Sequence, residues 1–96
     1  EGIMAQTALK DPDAVLDYKF DWDTNYLEDG ETISSATVTV ESGITKDSDS
    51  ITDSNRTVTV WLSGGEAGNE YTVSCEIVTS LSRTDERSMF IRVEER

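Results

Sequence analysis

The chain has 96 residues and carries 20 acidic against 8 basic side chains, which gives a net charge of −12 at pH 7, and it contains no histidine. This length suffices for a single domain with one modest core. The charge argues against binding to nucleic acid, because lysine and arginine are needed to hold a phosphate backbone, and it disfavours an anionic membrane surface. No apolar run approaches the ~18 residues of a membrane span. We therefore expect neither nucleic acid nor a membrane as a partner.

Residues 1–13 are largely polar. We expect the three residues before Met4 to be a cloning remnant, with Met4 as the natural start. The residues that follow form a polar lead-in, in which Pro12 fixes its own φ and holds the preceding residue extended. We predict a strand approach or a turn here, followed by one domain over residues 14–96.

The first clear strand is predicted between Leu16 and Trp22. Its apolar residues alternate with charged ones, so an extended chain places all of them on one face, namely Leu16, Tyr18, Phe20 and Trp22. A connection follows with a turn signal at Asp29-Gly30, and within it Tyr26 and Leu27 are expected to plug one end of the domain.

The next strand is predicted over residues 32–41. The position of Ile33 is out of step with Ala36, Val38 and Val40. This slip predicts a bulge near Ser34-Ser35, because one extra residue reverses the facing of every residue after it.

Residues 46–56 are polar and are predicted to form a loop around a short edge strand at 49–52. The loop gathers three carboxylates, those of Asp47, Asp49 and Asp53. It lacks the fifth-position oxygen and the sixth-position glycine of an EF-hand, so that calcium motif is absent. An irregular calcium site is the functional hypothesis for this loop, and a solvated polar loop is the plain alternative.

Two alternating segments flank a glycine-rich loop at residues 63–69. The first contains Val58, Val60 and Leu62, and the second contains Tyr71, Val73, Cys75 and Ile77. A tyrosine that heads a strand just after such a loop predicts a tyrosine corner, with a buried ring and a hydroxyl bonded back to the preceding turn. The alternative is a half-buried strand aromatic.

The last strand is predicted over residues 84–94, in a hairpin with the strand before it. Five clear strands, one or two weaker ones and the lack of helical periodicity define an all-β class. We predict an immunoglobulin-like antiparallel β-sandwich of six to seven strands.

No combination of residues predicts catalysis. Cys75 is the single cysteine and faces inward by alternation, and no histidine is present to activate it. The carboxylates fall on outer strand faces and in loops, without an apolar cleft that would separate the pKa values of two of them. We expect a non-enzymatic protein without a cofactor, and the free thiol suits folding in a reducing cytosol.

Protein contact is the function that the aromatic residues favour. Trp61 and Phe90 fall on the faces opposite the buried residues of their strands, and exposed aromatics often anchor interfaces. Together with Tyr26 they form the candidate interaction surface, although Trp61 could equally lie under a crossing loop. The alternative is a carbohydrate- or cell-surface-binding module, which would present the three aromatics in one plane. A further hypothesis is that the acidic side chains imitate the phosphate backbone of a nucleic acid. It is weaker than the other two, because basic residues interrupt the acidic ones along the chain.

Several motifs resemble those of small tailed-phage and prophage proteins, the fibre–tail adaptor proteins. The resemblance begins at Lys10-Asp11-Pro12-Asp13 and is most specific at Trp61-Leu62-Ser63-Gly64-Gly65 and Arg83-Thr84-Asp85-Glu86-Arg87. It covers nearly the whole chain from its first motif onward. Ser82 departs from the family pattern, which favours glycine before the Arg-Thr pair, and this leaves the geometry of that turn open.

The resemblance implies a non-enzymatic, immunoglobulin-like virion protein that is assembled in the bacterial host cytoplasm. Its implied partners are other phage structural proteins of the tail or fibre, and it supplies no catalytic residues. We expect the isolated domain to be monomeric or weakly associating and to oligomerise only in the assembled virion, because its charge opposes self-packing at low salt.

Overall fold

The computed structural model describes residues 6–23 and 26–95, with side chains from residue 8 onward. The strands in chain order are β1 (Gln6–Lys10), β2 (Leu16–Asp21), β3 (Ile33–Val40), β4 (Ile44–Thr52), β5 (Thr57–Gly64), β6 (Glu70–Thr79) and β7 (Thr84–Val93). They form two sheets, one with the order β1-β7-β6-β3 and one with the order β2-β5-β4. The predicted all-β class is confirmed. In the described part of the chain, no helix has the length and apolarity needed to cross a membrane.

Neighbouring strands are antiparallel, except that β1 and β7 run parallel over the register from Gln6–Met89 to Lys10–Val93. The predicted hairpin of the last two strands is confirmed by the pairing of β6 with β7. In β3 the register shifts between Ile33 and Ser35, which confirms the predicted bulge.

The core lies between the two sheets and is built from alternate residues of the strands. The fully buried apolar side chains come mainly from β5, β6 and β7 and include Val58, Val60, Leu62, Val73, Cys75, Ile77, Ile91 and Val93. Phe20 and Trp22 fill the remaining space, with their ring centroids 5.9 Å apart. Burial of each large side chain contributes about 1.5–3 kcal/mol, so the alternation of apolar residues fixes which face of each strand lies inward.

Two segments differ from the sequence-based expectation. Strand β1 lies within residues 1–13, which we predicted as a remnant and lead-in, because it pairs with β7 at the far end of the chain. Strand β4 has nine residues and begins at Ile44, so residues 46–48, predicted as loop, are strand. Pairing with β5 holds β4 extended although most of its side chains are exposed.

The tyrosine corner predicted at Tyr71 is confirmed in its contacts. The ring is buried, and the hydroxyl accepts a hydrogen bond from the backbone N–H of Glu66 at 3.0 Å. The side-chain amide of Asn69 lies 3.4 Å from the same oxygen. The loop between β5 and β6 is therefore fixed to the first core residue of β6.

Two glycines leave room for this ring. A Cβ atom at Gly43 would lie 2.7 Å from Tyr71 Cε1, and one at Gly65 would lie 2.7 Å from Val93 Cγ2. Their φ angles are +110° and +93°, a region that side chains rarely adopt. We call this end of the sandwich the Tyr71 end.

A buried lysine joins the two sheets at the Tyr71 end. Lys10 lies on β1, and its Nζ donates hydrogen bonds to the carbonyl oxygens of Gly64 on β5 at 2.7 Å and of Asp11 at 2.9 Å. Burial lowers the pKa of Lys10, against the opposing effect of nearby carboxylates.

The single cysteine is a core residue, as predicted. Cys75 is fully buried on β6, and desolvation, with smaller contributions from Asp49 and Glu86, raises the pKa of its thiol to about 12. The thiol is therefore uncharged and shielded at neutral pH.

Candidate interaction surfaces

The aromatic residues predicted as one interaction surface lie in three places. Trp61 is 42% exposed on the outer face of the three-stranded sheet, because its neighbours Val60 and Leu62 point into the core. Phe90 is half-buried on the outer face of the four-stranded sheet, which is the opposite side of the sandwich. The two strand aromatics therefore cannot contact one flat partner together.

Tyr26 lies in the connection between β2 and β3. The guanidinium of Arg83 covers its ring at 4.4 Å from the centroid, and Arg83 Nη2 donates to the carbonyl oxygen of Tyr26 at 3.2 Å. The structure thus does not bring Tyr26, Trp61 and Phe90 into the single plane that a carbohydrate platform would need.

The exposed tryptophan is the centre of a mixed apolar and acidic surface, which we call the Trp61 patch. Its apolar members are Trp61, exposed near the end of β5, and Val15, exposed just before β2. Leu16 is also exposed, but it pairs with the buried Leu62 and therefore lies on the opposite face of this sheet. Asp17 lies directly opposite Trp61 in the β2–β5 register. Asp47 reaches the same face through its hydrogen bond from the Ser63 hydroxyl at 3.0 Å.

The carboxylates of the Trp61 patch form no direct ion pair. Within the described ranges, no lysine or arginine forms an ion pair with Asp17 or Asp47. The ammonium groups of Lys10 and Lys19 act on Asp47 and Asp17 only through charge, because Lys10 is bonded to carbonyl oxygens and Lys19 pairs with Asp53 at 2.6 Å. The patch therefore combines an exposed indole with carboxylates that form no direct ion pair.

The three carboxylates of the predicted calcium loop are not brought together. Asp47 is at a register shift of β4, Asp49 pairs with Lys46 at 2.7 Å, and Asp53 pairs with Lys19 beyond the end of the strand. The described residues contain no group of three or more histidine, cysteine or acidic side chains that could hold a metal ion. This geometry gives the calcium hypothesis no support.

The opposite end of the sandwich is held by arginines, and we call it the Arg83 end. Arg83 donates two hydrogen bonds to the buried carboxylate of Glu31, from Nε to Oε2 at 3.0 Å and from Nη2 to Oε1 at 2.6 Å. The backbone N–H of Glu28 donates to the same carboxylate at 2.9 Å. These bonds, the Arg83 pair foremost, hold the pKa of Glu31 at about 2 against the opposing effect of burial.

Arg56 binds the backbone of the same connection. Its Nη1 donates to the carbonyl oxygens of Glu31 at 2.7 Å and Glu28 at 3.3 Å, and its Nε pairs with the Asp23 carboxylate. The described residues between β2 and β3 are thus bonded to two arginines, Arg83 from the β6–β7 turn and Arg56 from the β4–β5 turn.

Arg87 is the third arginine at the Arg83 end, and it packs against Trp22. Its guanidinium lies 5.0 Å from the indole centroid, and its Nη1 donates to the carbonyl oxygen of Asp21 at 2.7 Å. The indole N–H of Trp22 donates to the Asp85 carboxylate at 2.8 Å. The buried tryptophan at the end of β2 is therefore fixed to β7 by both charge and hydrogen bonding.

A second exposed apolar group lies at the tip of the Arg83 end. Leu81 in the β6–β7 turn is 59% exposed, and Val78 at the end of β6 is also exposed. Ser82 in this turn has a φ of +63°, the left-handed region that favours glycine. The turn geometry that the sequence left open is therefore one that explains a glycine preference at this position.

Sequence reasoning did not identify the roles of the arginines or of Glu31. The one available signal was the Arg83-Thr84-Asp85-Glu86-Arg87 motif, which was recognised as specific but not as structural. Their partners are mainly distant carbonyl oxygens and a carboxylate, and no local pattern specifies those.

The fold defines a class of protein, a two-sheet β-sandwich with exposed apolar side chains at both ends. A family model described as "Podophage GP4 fiber-tail adaptor protein gp77" matches residues 10–92 of the chain. The chain therefore belongs to this family of phage fibre–tail adaptors, which are structural components of the virion. The resemblance drawn from its motifs is confirmed. A comparison with curated protein sequences finds no match for the chain.

Proposed function

We propose that this protein is a non-enzymatic adaptor that joins a tail protein to a fibre protein through two separate protein-contact surfaces. The observation that carries the proposal is the distribution of exposed large apolar side chains. Leu9, Val15, Leu16 and Trp61 lie towards the Tyr71 end, whereas Val78 and Leu81 lie at the Arg83 end. The longest dimension of the domain is 41 Å, so two partners can bind these ends without contact between them.

We further propose that the sandwich is immunoglobulin-like. The orders β2-β5-β4 and β3-β6-β7 match the B-E-D and C-F-G orders of that fold, and Tyr71 heads the strand that corresponds to F. The first strand differs, because β1 pairs with β7 rather than with β2. In an immunoglobulin-like domain the loops cluster at both ends of the sandwich, which suits contacts at two ends.

Assembly in the host cytoplasm is part of the proposal. The unpaired, buried Cys75 needs no oxidising compartment, and the charge of −12 favours a protein partner over nucleic acid or an anionic membrane. The same charge disfavours self-association, so we expect the isolated domain to be a monomer that enters an oligomer only in the virion.

The proposal is tested by co-expression with the tail and fibre proteins of the same phage, followed by size-exclusion chromatography with light scattering. We expect a ternary complex that forms only when this chain is present. Trp61→Ala should abolish binding to one partner and Leu81→Ser binding to the other, while each variant keeps its remaining partner. If the tail and fibre proteins assemble without this chain, or if it binds neither, the adaptor proposal is wrong.

Light scattering of the isolated chain, with and without added calcium, tests the oligomeric state. We expect the mass of a monomer, 10.6 kDa, in both conditions. A stable ring in dilute, low-salt buffer would contradict this expectation. An oligomer that forms only with calcium would restore the metal hypothesis for Asp47, Asp49 and Asp53.

A further inference from the structure

We infer that the Trp61 patch binds a cationic segment of its partner, in which lysine or arginine residues flank an apolar side chain. The inference rests on the proposed adaptor function and specifies the partner chemistry at one of its two surfaces. It is carried by the position of an exposed indole beside two carboxylates that form no direct ion pair, in a domain whose net charge is −12.

The geometry of the patch places negative charge on two sides of the indole. Asp17 faces Trp61 across the β2–β5 pair, and Asp47 is held beside it through Ser63, two residues further along the same face of β5. Asp11 and Asp13 lie in the connection that leads into β2 and add charge at the same end. An apolar partner side chain on Trp61 would therefore be flanked by the carboxylates of Asp17 and Asp47.

The protein's own cations form their direct bonds with groups outside the Trp61 patch. In the described part of the chain, the six ion pairs use Lys19, Lys46, Arg56, Arg83, Arg87 and Arg92, and Lys10 is bonded to carbonyl oxygens. None of these pairs involves Asp17 or Asp47, on which Lys19 and Lys10 act only at longer range. A cation of the partner can therefore form the direct ion pairs that the patch lacks.

A cationic side chain suits the indole as well as the carboxylates. Arginine or lysine placed over a tryptophan ring is attracted by the negative face of the ring, and tryptophan is the strongest of the aromatic partners. The same side chain could bond to Asp17 or Asp47 at the rim of the contact. Complementary charge of this kind mainly speeds association and selects the partner.

A second copy of the chain is a poor occupant for this surface. It would bring a further charge of −12 to a surface that is already acidic. A cationic segment of a different virion protein removes that repulsion, and it is the occupant to which the inference commits.

The test uses three synthetic peptides that alternate leucine with arginine, glutamine or glutamate. Each is titrated into the isotopically labelled full chain, and binding is followed by the indole N–H signals of the two tryptophans in NMR spectra. We expect only the arginine peptide to shift the Trp61 signal, with the Trp22 signal as an internal control because that indole is buried and bonded to Asp85. Raising the salt concentration should weaken binding about tenfold.

Matched variants separate local charge from net charge. Asp17→Asn combined with Asp47→Asn removes two negative charges at the patch, and Glu76→Gln combined with Glu86→Gln removes two on the opposite sheet. We expect the first pair to weaken arginine-peptide binding at least fivefold and the second to change it less than twofold. Equal effects of the two pairs would show that binding follows net charge, and the inference would be overturned.

The other possible outcomes test the inference and the adaptor proposal separately. Binding of the glutamine or glutamate peptide as tightly as the arginine peptide overturns the inference, and so does a concentration-dependent shift of Trp61 without any peptide, which would reveal a second copy. If no peptide binds but Trp61→Ala still breaks the ternary complex, the cationic inference fails while the adaptor proposal stands. If the arginine peptide binds as expected and no ternary complex forms, the adaptor proposal fails alone.

Discussion

The two ends of this sandwich are held by different interactions. At the Tyr71 end, a buried ring packs against Gly43 and Gly65, and its hydroxyl accepts a backbone hydrogen bond. At the Arg83 end, arginine side chains bind the backbone and the buried carboxylate of Glu31. Steric fit therefore fixes one end and charge fixes the other.

This difference follows from the connections at each end. The loops at the Tyr71 end are short and rich in glycine, so the backbone can approach the ring closely. The described residues between β2 and β3 at the Arg83 end lie outside the strands, and the carbonyl oxygens of Leu27, Glu28 and Glu31 accept hydrogen bonds from Arg56. Arginine has several N–H donors in a fixed plane, so it can bind several carbonyls at once.

The largest effect is expected from Gly65→Ala at the Tyr71 end. The new Cβ atom would meet Val93 Cγ2 at 2.7 Å, and φ is +93°. We expect a loss of about 3 kcal/mol in the free energy of unfolding, measured by urea denaturation, since overpacking adds to the conformational cost. Gly68→Ala is the control, because its φ is +92° and nothing lies within 4 Å. It should cost only about 1 kcal/mol, and equal losses would show that steric fit is unimportant.

The next effect is acid-dependent and belongs to the Arg83 end. The pKa of Glu31 is lowered from 4.5 to about 2, so its stabilising contribution is complete above pH 4.5 and is lost as the pH falls towards 2. We expect Glu31→Gln to be less stable than the wild type at pH 7, with the difference shrinking over this pH range. Urea midpoints of both proteins at several pH values give the stability difference at pH 7 and its decrease towards pH 2.

Asp53→Asn is the control for the acid effect, because Asp53 forms an exposed ion pair with Lys19. Exposed pairs contribute little, so we expect a much smaller change in the urea midpoint than for Glu31→Gln. A stability difference for Glu31→Gln that stays constant from pH 7 to pH 2 would show that the charge of Glu31 does not hold this end.

A smaller effect is expected from Tyr71→Phe. The variant keeps the packing of the ring but removes the oxygen that accepts from the N–H of Glu66. We expect a loss of about 1 kcal/mol by urea denaturation, the usual value of one hydrogen bond. Faster hydrogen exchange at the Glu66 amide would locate the change, and an unchanged exchange rate would contradict this role.

The smallest effect is a gain in stability from Ser82→Gly at the Arg83 end. Ser82 has a φ of +63°, which glycine adopts without a steric penalty. We expect a stabilisation of about 0.5–1 kcal/mol, seen as a higher thermal midpoint. Ser50→Gly in the extended strand β4 should instead destabilise, and a stabilisation of similar size there would remove the backbone explanation.

Local patterns predicted the facing of residues well and their assembly less well. The bulge near Ser34-Ser35 follows from alternation along one strand, which the sequence contains in full, and the tyrosine corner follows from the glycine-rich loop before Tyr71. The exposure of Trp61 stayed open, because alternation does not show whether a loop crosses its face. The placement of Trp61 and Phe90 on opposite sides of the sandwich depends on which sheet each strand joins, and alternation does not specify this.

The other features that the sequence did not predict also depend on contacts between distant parts of the chain. Strand β1 is stabilised by β7, more than 80 residues away in the chain, and the exposed strand β4 is stabilised by its pairing with β5. Glu31 and Arg83 are separated by 52 residues and meet only in the folded protein. Contacts between residues far apart in the chain therefore determine these features, and local sequence patterns do not predict them.

The parallel pairing of the first and last strands has a mechanical consequence. Because β1 and β7 run in the same direction, a force that pulls their outer ends apart acts along both strands and slides one past the other. The hydrogen bonds between them then carry the load together, whereas an antiparallel hairpin pulled at its two ends opens one bond at a time. A link between a tail and a fibre that is attached through these strands would resist tension as a single unit.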